Sequence, residues 1–217
     1  MNVTKLYVLT DLEKLKVEDV LKFASFMPKE RMEKFERTIK KEKKIELVVS
    51  YMLLLFTLKK NNILNKSFNF NYNYNSNKRP AINLKENKKL FFNISHSNNI
   101  IVLGMSYFKI GVDVEKIKNF NLKLAKKICT RKEFLKFSHS FKKKETFFLI
   151  WTKKEAFCKL KLKSIFFNFK LINSFKLKNS RSFKFKNYII SINCRCNKNI
   201  VFEKVNLKEL LNFESYL

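Results

Sequence analysis

Glycine and proline are almost missing from this chain, with two of each in 217 residues. That scarcity excludes a Gly- or Pro-rich linker between domains. It also gives weight to Gly104 and Gly111, each of which should mark a bulge, a bend or a close approach of backbone. Histidine is as rare, with only His96 and His139. The four cysteines (Cys129, Cys158, Cys194 and Cys196) form no CxxC pair and no zinc spacing. A Cys/His metal centre is therefore excluded, and thiols in a reducing compartment are expected. The longest apolar run, LVVSYMLLLFTL from Leu47 to Leu58, is too short to span a bilayer and predicts a buried helix. The first residues, MNVTKLYVLTDLEK, lack the basic-then-apolar pattern of a signal peptide. A soluble, cytoplasmic, monomeric protein with no membrane partner is the expectation.

Acidic residues are scarce too: 18 against 47 Lys and Arg, a net charge of +29. Heavy use of Lys, Asn, Phe and Ile is the imprint of AT-rich coding, so part of this charge is background. Its physical consequence holds regardless, because such a surface attracts anionic small molecules and acidic proteins. With 46% hydrophobic and 15% aromatic residues there is ample material for a core, so a disordered chain is excluded.

Lys5 to Thr10 reads as a buried strand and Asp11 to Phe26 as an amphipathic helix. Pro28 opens a charged helix that is followed by an apolar one. Ser67 to Tyr74 alternates aromatic residues with Asn, the pattern of a half-buried strand. A turn at Ser76 to Pro80 leads into three short apolar runs, LFFNIS, NIIVLGMS and FKIGVDVE, which predict an antiparallel meander. Helices are expected over Asn121 to Ile128, Lys132 to Phe137 and Lys143 to Leu162. The run from Ser164 to Cys194 alternates like several strands, Asn197 to Val205 like a last one, and Leu207 onward like a terminal helix. Helices then strands, twice over, predict an α+β fold of two halves, residues 1–118 and 119–217, each a small antiparallel sheet with packed helices.

Chemistry concentrates in two stretches. The first runs from Asn93 to Glu115 (NISHSNNIIVLGMSYFKIGVDVE) and ends in Asp113 and Glu115, two apart in a strand and so on one side of a sheet. The second, WTKKEAFCK from Trp151 to Lys159, places Glu155 and Lys159 four apart on one helix face. Three carboxylates with a lysine and His96 make a site for a hard divalent cation that carries phosphate.

This order of motifs (NISHS, GVDVE, then WTKKEAFCK) resembles the phosphopantetheinyl transferases of the surfactin-synthetase-activating type. The likeness takes in Pro28 with its basic helix and the Arg79-Pro80 turn, covering roughly residues 1 to 205. It implies transfer of the 4'-phosphopantetheine arm of coenzyme A to a serine of an apo acyl or peptidyl carrier protein, as in fatty acid biosynthesis. Adenosine 3',5'-bisphosphate would be released. It also implies two pseudo-symmetric α+β halves with the active site between them. Carried over residue by residue, it implies Asp113, Glu115 and Glu155 as ligands of Mg2+. Glu155 would be the base, directly or through water, and Lys159 and Asp113 would act with it. Arg31, Lys34, Arg79, Ser95, His96 and Lys159 would hold the phosphates of coenzyme A.

Three departures accompany the resemblance. An arginine common early in the long N-terminal helix is absent, with Glu46 near its place and Lys43 or Lys44 as substitutes. No glycine follows Lys159, where relatives carry a Gly-containing loop. Asn98 and Asn99 follow the SHS segment where Gly is frequent. Two other readings stand beside this one: a non-enzymatic RNA- or DNA-binding protein using basic and aromatic side chains, and an inactive relative of the transferase. Acids at motif spacing oppose polyanion binding and disfavour the former, so no specific nucleic-acid partner is expected.

Overall fold

The structure, a computed structural model, describes residues 3–63, 73–74, 80–84, 88–162, 169–195 and 199–213. Its elements in chain order are β1 (Thr4–Leu9), α1 (Val17–Leu21), α2 (Lys29–Arg37), α3 (Lys41–Lys60), β2 (Asn73–Tyr74), β3 (Pro80–Asn83), β4 (Lys89–Ser97), β5 (Ile100–Ser106), β6 (Ile110–Lys116), α4 (Leu122–Ile128), α5 (Arg131–Ser138), α6 (Lys143–Lys161), β7 (Ser180–Phe185), β8 (Tyr188–Cys194), β9 (Ile200–Val205) and α7 (Leu207–Leu211). The α+β class is as expected.

A six-stranded sheet runs β2-β3-β4-β5-β1-β9, and a three-stranded sheet runs β6-β8-β7. Period-2 alternation explains how they stack. Odd residues of β1 and β5 (Tyr7, Leu9, Ile101, Leu103) join a core with α1, α3 and α7. Even residues (Leu6, Val8, Ile100, Val102) face Ile110, Val112, Val114, Ile190 and Ile192 of the second sheet. The other face of the second sheet carries α6, whose far side packs on α4 and α5 through Phe147, Phe148 and Phe137. The result is helix, sheet, sheet, helix. Helix α3 is buried on all sides from Ile45 to Leu58, which its near-continuous apolar run demands. Among the described residues no helix is long and apolar enough to cross a membrane.

Several expectations need correction. The helix expected from Asp11 to Phe26 is broken into α1 and two flanking 3-10 turns, because Asp11 is left-handed (φ 68°) and Leu15 is extended. Of the apolar residues behind that expectation, Leu12, Leu15, Val20 and Phe23 are buried but Leu21 is 53% exposed, so the spacing reported most of the burial without a continuous helix. The three-strand meander ends after two: β4 and β5 form a hairpin, with Asn98 left-handed at its turn, but β6 leaves to pair with β8. Of the strands expected from Ser164 onward, residues 164–168 lie outside the described residues, Phe169–Leu171 and Ser174–Lys176 are 3-10 turns, and the first described strand is β7. Nor do strands segregate at residue 118, since β6 pairs with β8 and β9 returns to lie parallel to β1. Most of the aromatic–Asn alternation from Ser67, and Ser76 to Arg79, lie outside the described residues.

Both glycines mark close approaches. A Cβ on Gly104 would sit 2.5 Å from the Val112 Cγ2, and one on Gly111 would sit 2.0 Å from the Ala156 carbonyl oxygen of α6. Gly111 therefore lets α6 lie on β6, which brings Glu155 and Lys159 over Asp113.

Candidate active site at the seam between the sheets

Strand β6 is the edge of its sheet, so alternate N–H groups along it have no strand to bond. Strand β4 supplies side chains in place of a strand. The Val112 N–H donates to Asn93 Oδ1 (2.7 Å), the Val114 N–H to Ser95 Oγ (3.3 Å) and the Lys116 N–H to Ser97 Oγ (3.2 Å). Asn93, Ser95 and Ser97 lie two apart, hence on one side of β4, and match the spacing of the donors. The hydroxyls then donate onward: Ser95 Oγ to Asp113 Oδ1 (3.1 Å) and Ser97 Oγ to Glu115 Oε2 (3.0 Å).

From above, Lys159 of α6 donates to Asp113 Oδ1 (2.7 Å) and to Ser95 Oγ (2.9 Å). Asp113 and Glu155 are each about 5% exposed, so their charges are poorly screened. Burial pushes Asp113 above the ordinary carboxylate range, although Lys159, Ser95 and the Val114 N–H pull it down. Glu115 is raised by burial and then by Asp113. Glu155 is pushed up to about 7, by burial first and then by the Asp113 charge, with Glu115 adding and Lys159 opposing. The three acids therefore share one electrostatic environment that favours a cation.

Asp113 Oδ2 is buried with no hydrogen-bond partner. Among the described residues no three His, Cys, Asp or Glu side chains stand as a ready-made metal cluster. The donor chemistry nevertheless fits a hard divalent ion: carboxylate oxygens only, one of them unsatisfied, with an ammonium now resting on the same carboxylate.

The remaining expected residues differ in setting. His96 is half-exposed on β4, with Nδ1 3.3 Å from Glu46 Oε2. Its pKa is lowered, by burial first, with the Lys43, Lys159 and Lys34 charges acting the same way and Glu46 opposing. Lys34 is exposed and uncommitted in geometry, yet near enough for its charge to reach His96. Arg31 holds α2 to α3: Nε and Nη2 donate to the Leu47 carbonyl (3.1 and 2.8 Å), and Nη2 also reaches Ser50 Oγ. Arg31 also lines a cavity of about 190 Å³ with Tyr51, Pro80, Phe92 and Asn93. Arg79 lies outside the described residues. Of the two lysines expected to substitute for the absent arginine, Lys43 pairs with Glu46 at 2.6 Å and Lys44 lies over the Phe35 ring.

Residues 109–199 match a family described as the 4'-phosphopantetheinyl transferase superfamily. The segment runs from just before β6 to just before β9 and so contains Asp113, Glu115, Glu155 and Lys159. Over 147 residues the chain is 28% identical to the 4'-phosphopantetheinyl transferase Sfp of Bacillus subtilis (strain 168). That stretch is 67% of this chain and 64% of the relative, so the chain spans a little under two thirds of the relative's length. A second Bacillus subtilis 4'-phosphopantetheinyl transferase is 35% identical over 72 residues, 32% of each chain. The gsp transferase of Aneurinibacillus migulanus is 31% identical over 72 residues, 32% of this chain and 30% of the relative.

This chain is similar to the Sfp-type 4'-phosphopantetheinyl transferases.

Within this transferase-like seam, the sequence showed the acids but not their supports. Asn93 and Ser97 carry the β6 edge, and their trace in the sequence is the period-2 spacing of Asn93, Ser95 and Ser97 in β4. Behind the site lies a buried Lys154–Glu133 pair, 2.6 Å apart. Its trace was the Thr130–Glu133 capping box, in which Glu133 accepts the Thr130 N–H and Thr130 Oγ1 accepts the Glu133 N–H.

Proposed function

We propose that this protein transfers the 4'-phosphopantetheine arm of coenzyme A to a serine hydroxyl of an apo acyl or peptidyl carrier protein, releasing adenosine 3',5'-bisphosphate. The observation that carries the reading is the seam itself. Asp113 and Glu115 of β6, Glu155 and Lys159 of α6 and Ser95 of β4 share one electrostatic environment, on a segment similar to enzymes named for this transfer. In the reaction a bond forms from the serine oxygen to the β-phosphorus, and the bond from that phosphorus to the leaving 3',5'-bisphosphate breaks.

Glu155 is the acceptor for the serine proton. It takes that proton directly or through a water, from within hydrogen-bond reach. Lys159, one helical turn on, exchanges Asp113 for the phosphates and offsets charge on the leaving group. Ser95 and the Val114 N–H keep Asp113 from turning with it. Asp113, Glu115 and Glu155 would hold Mg2+, which supplies charge neutralisation of the pyrophosphate when bound. His96, Lys34 and Arg31 would hold the nucleotide phosphates, and the resemblance adds Arg79 to them. Exposed Lys123, Lys126, Lys127, Arg131 and Lys132 on α4 and α5 present a positive face to an acidic carrier.

The deciding experiment is mass spectrometry of apo carrier proteins, fatty-acid and peptidyl types, incubated with the protein, coenzyme A and Mg2+, with an EDTA control. A metal-dependent gain of one phosphopantetheine on the serine is expected. No gain on any carrier would move the chain to the inactive-relative reading.

A further inference from the structure

Directly before Glu155 in α6 stands a lysine with no exposure to water at all. Lys154 is 0% exposed, and its Nζ donates to Glu133 Oε2 (2.6 Å), the Ile128 carbonyl (2.8 Å) and the Phe169 carbonyl (3.0 Å). An ammonium has three N–H donors, and all three are used. Glu133, buried equally, accepts from the Thr130 N–H (2.7 Å) and, on Oε1, from the Ser174 N–H (2.6 Å). Burial would raise Glu133, but the bonds from Lys154, Ser174 and Thr130 outweigh it and hold the carboxyl below its ordinary value. Glu133 is thus held as a carboxylate in the interior, facing an Nζ with three acceptors.

Stability alone is a weak reason for such a pair, because well-packed apolar residues of similar volume serve a core as well. Its placement on α6 gives a better one. Residues advance by about 100° around a helix. Lys154 and Thr152 thus point to opposite sides, with Glu155 and Lys159 much nearer the Thr152 side. On that side Thr152 Oγ1 meets Ser191 Oγ of β8 at 2.7 Å, and Gly111 admits the helix backbone onto β6. On the back, Lys154 ties the helix to the end of α4, to α5 and to the 3-10 turn at Phe169. Aromatic contacts lie there too, Phe147 on Phe120 and Trp151 on Phe169, but ring contacts fix direction less than three hydrogen bonds from one Nζ do.

We infer that Lys154 is a positioning residue. By anchoring the back of α6 to Glu133, Ile128 and Phe169, it sets the helix rotation that aims Glu155 and Lys159 at Asp113. The inference rests on the proposed roles of Glu155 and Lys159.

The test uses the double variant Lys154→Met/Glu133→Gln, which removes both charges and keeps shape, beside the milder Glu133→Gln alone. Three properties are measured: thermal melting, Mn2+ affinity by electron paramagnetic resonance with Mn2+ alone, and the kcat and KM of transfer. The emission of Trp151, the chain's one tryptophan, reads α6 without any ligand. In variants that remain folded, Mn2+ affinity and kcat should fall by about ten- to a hundredfold. The KM for the carrier should hold, and Trp151 emission should shift, with Glu133→Gln intermediate in each. A folded double variant that matches the parent in Mn2+ affinity and Trp151 emission overturns the inference; if it does not fold, the same match in Glu133→Gln does so. A parent that binds Mn2+ but modifies no carrier overturns the transferase reading instead, and the Mn2+ comparison still decides the role of Lys154.

Discussion

Glu155 titrates near 7 because it is buried beside two other acids, and this has two measurable consequences. A carboxyl raised from its ordinary 4.5 to about 7 binds its proton more tightly folded than unfolded. The stability this gives is complete below about pH 4.5 and is lost as pH rises through about 7. In metal-free protein Glu155 should therefore lower the melting temperature across that window, while His96, whose pKa is lowered, acts in the opposite sense. Glu155→Gln should remove the Glu155 share; an unchanged slope would place the titration elsewhere. For the reaction, Asp113→Ala and Glu155→Ala should each cut transfer by a hundred- to a thousandfold, roughly the loss of one preorganised charge in a dry site. Circular dichroism should show the fold intact, and wild-type rates in either variant would remove the site assignment. Lys34 and Arg31 separate by the same logic. Lys34→Ala should raise the KM for coenzyme A without lowering Tm, whereas Arg31→Ala should do both, because its guanidinium also joins α2 to α3.

Helix α6 is the element on which the site turns, and its two contacts with backbone rules make predictions. At its C-terminal end Leu162 is left-handed (φ 54°) and 42% exposed, in the position where a helix favours glycine. Leu162→Gly should stabilise the protein by about 1 kcal/mol, read as a higher Tm. Along its length α6 lies on Gly111, and Gly111→Ala would drive a methyl into the Ala156 carbonyl. A loss of about 1–3 kcal/mol is expected, with transfer failing before the fold does. Much of this was legible beforehand. Local periodicity placed α6, β1 and the β4–β5 hairpin, and i,i+2 spacing put Asp113 and Glu115 on one side of a strand. The neighbour of β6 was not legible, because alternation reports which way side chains face and is silent on which strand lies alongside. The next strand in sequence is the default partner, and here the partner is β8. Asn93, Ser95 and Ser97 were obscured for the same reason: a side chain that bonds a facing backbone has meaning only once the facing strand is known. Arg31 was read by its charge, while its geometry serves α3.

Across the whole molecule, charge and topology set how it meets partners and how it is made. A surface of +29 with a basic face on α4 and α5 should draw an acidic carrier by long-range attraction. The kcat/KM for the carrier should fall steeply as ionic strength passes about 0.1 M, where screening acts within about 10 Å. The KM for coenzyme A should change less; a flat salt response for the carrier would mean docking by shape alone. Topology matters at an earlier moment. Strand β9, late in the chain, lies parallel to β1, the first strand, and α7 behind it seats Leu210 and Phe213 in the core around α3. During synthesis the first sheet thus waits with a bare edge and an open core until β9 and α7 have left the ribosome, a non-local closure of the kind that slows folding. A premature stop or a protease cut just before Ile200 would therefore harm the layer that was made first, exposing β1 to pair with another chain and aggregate.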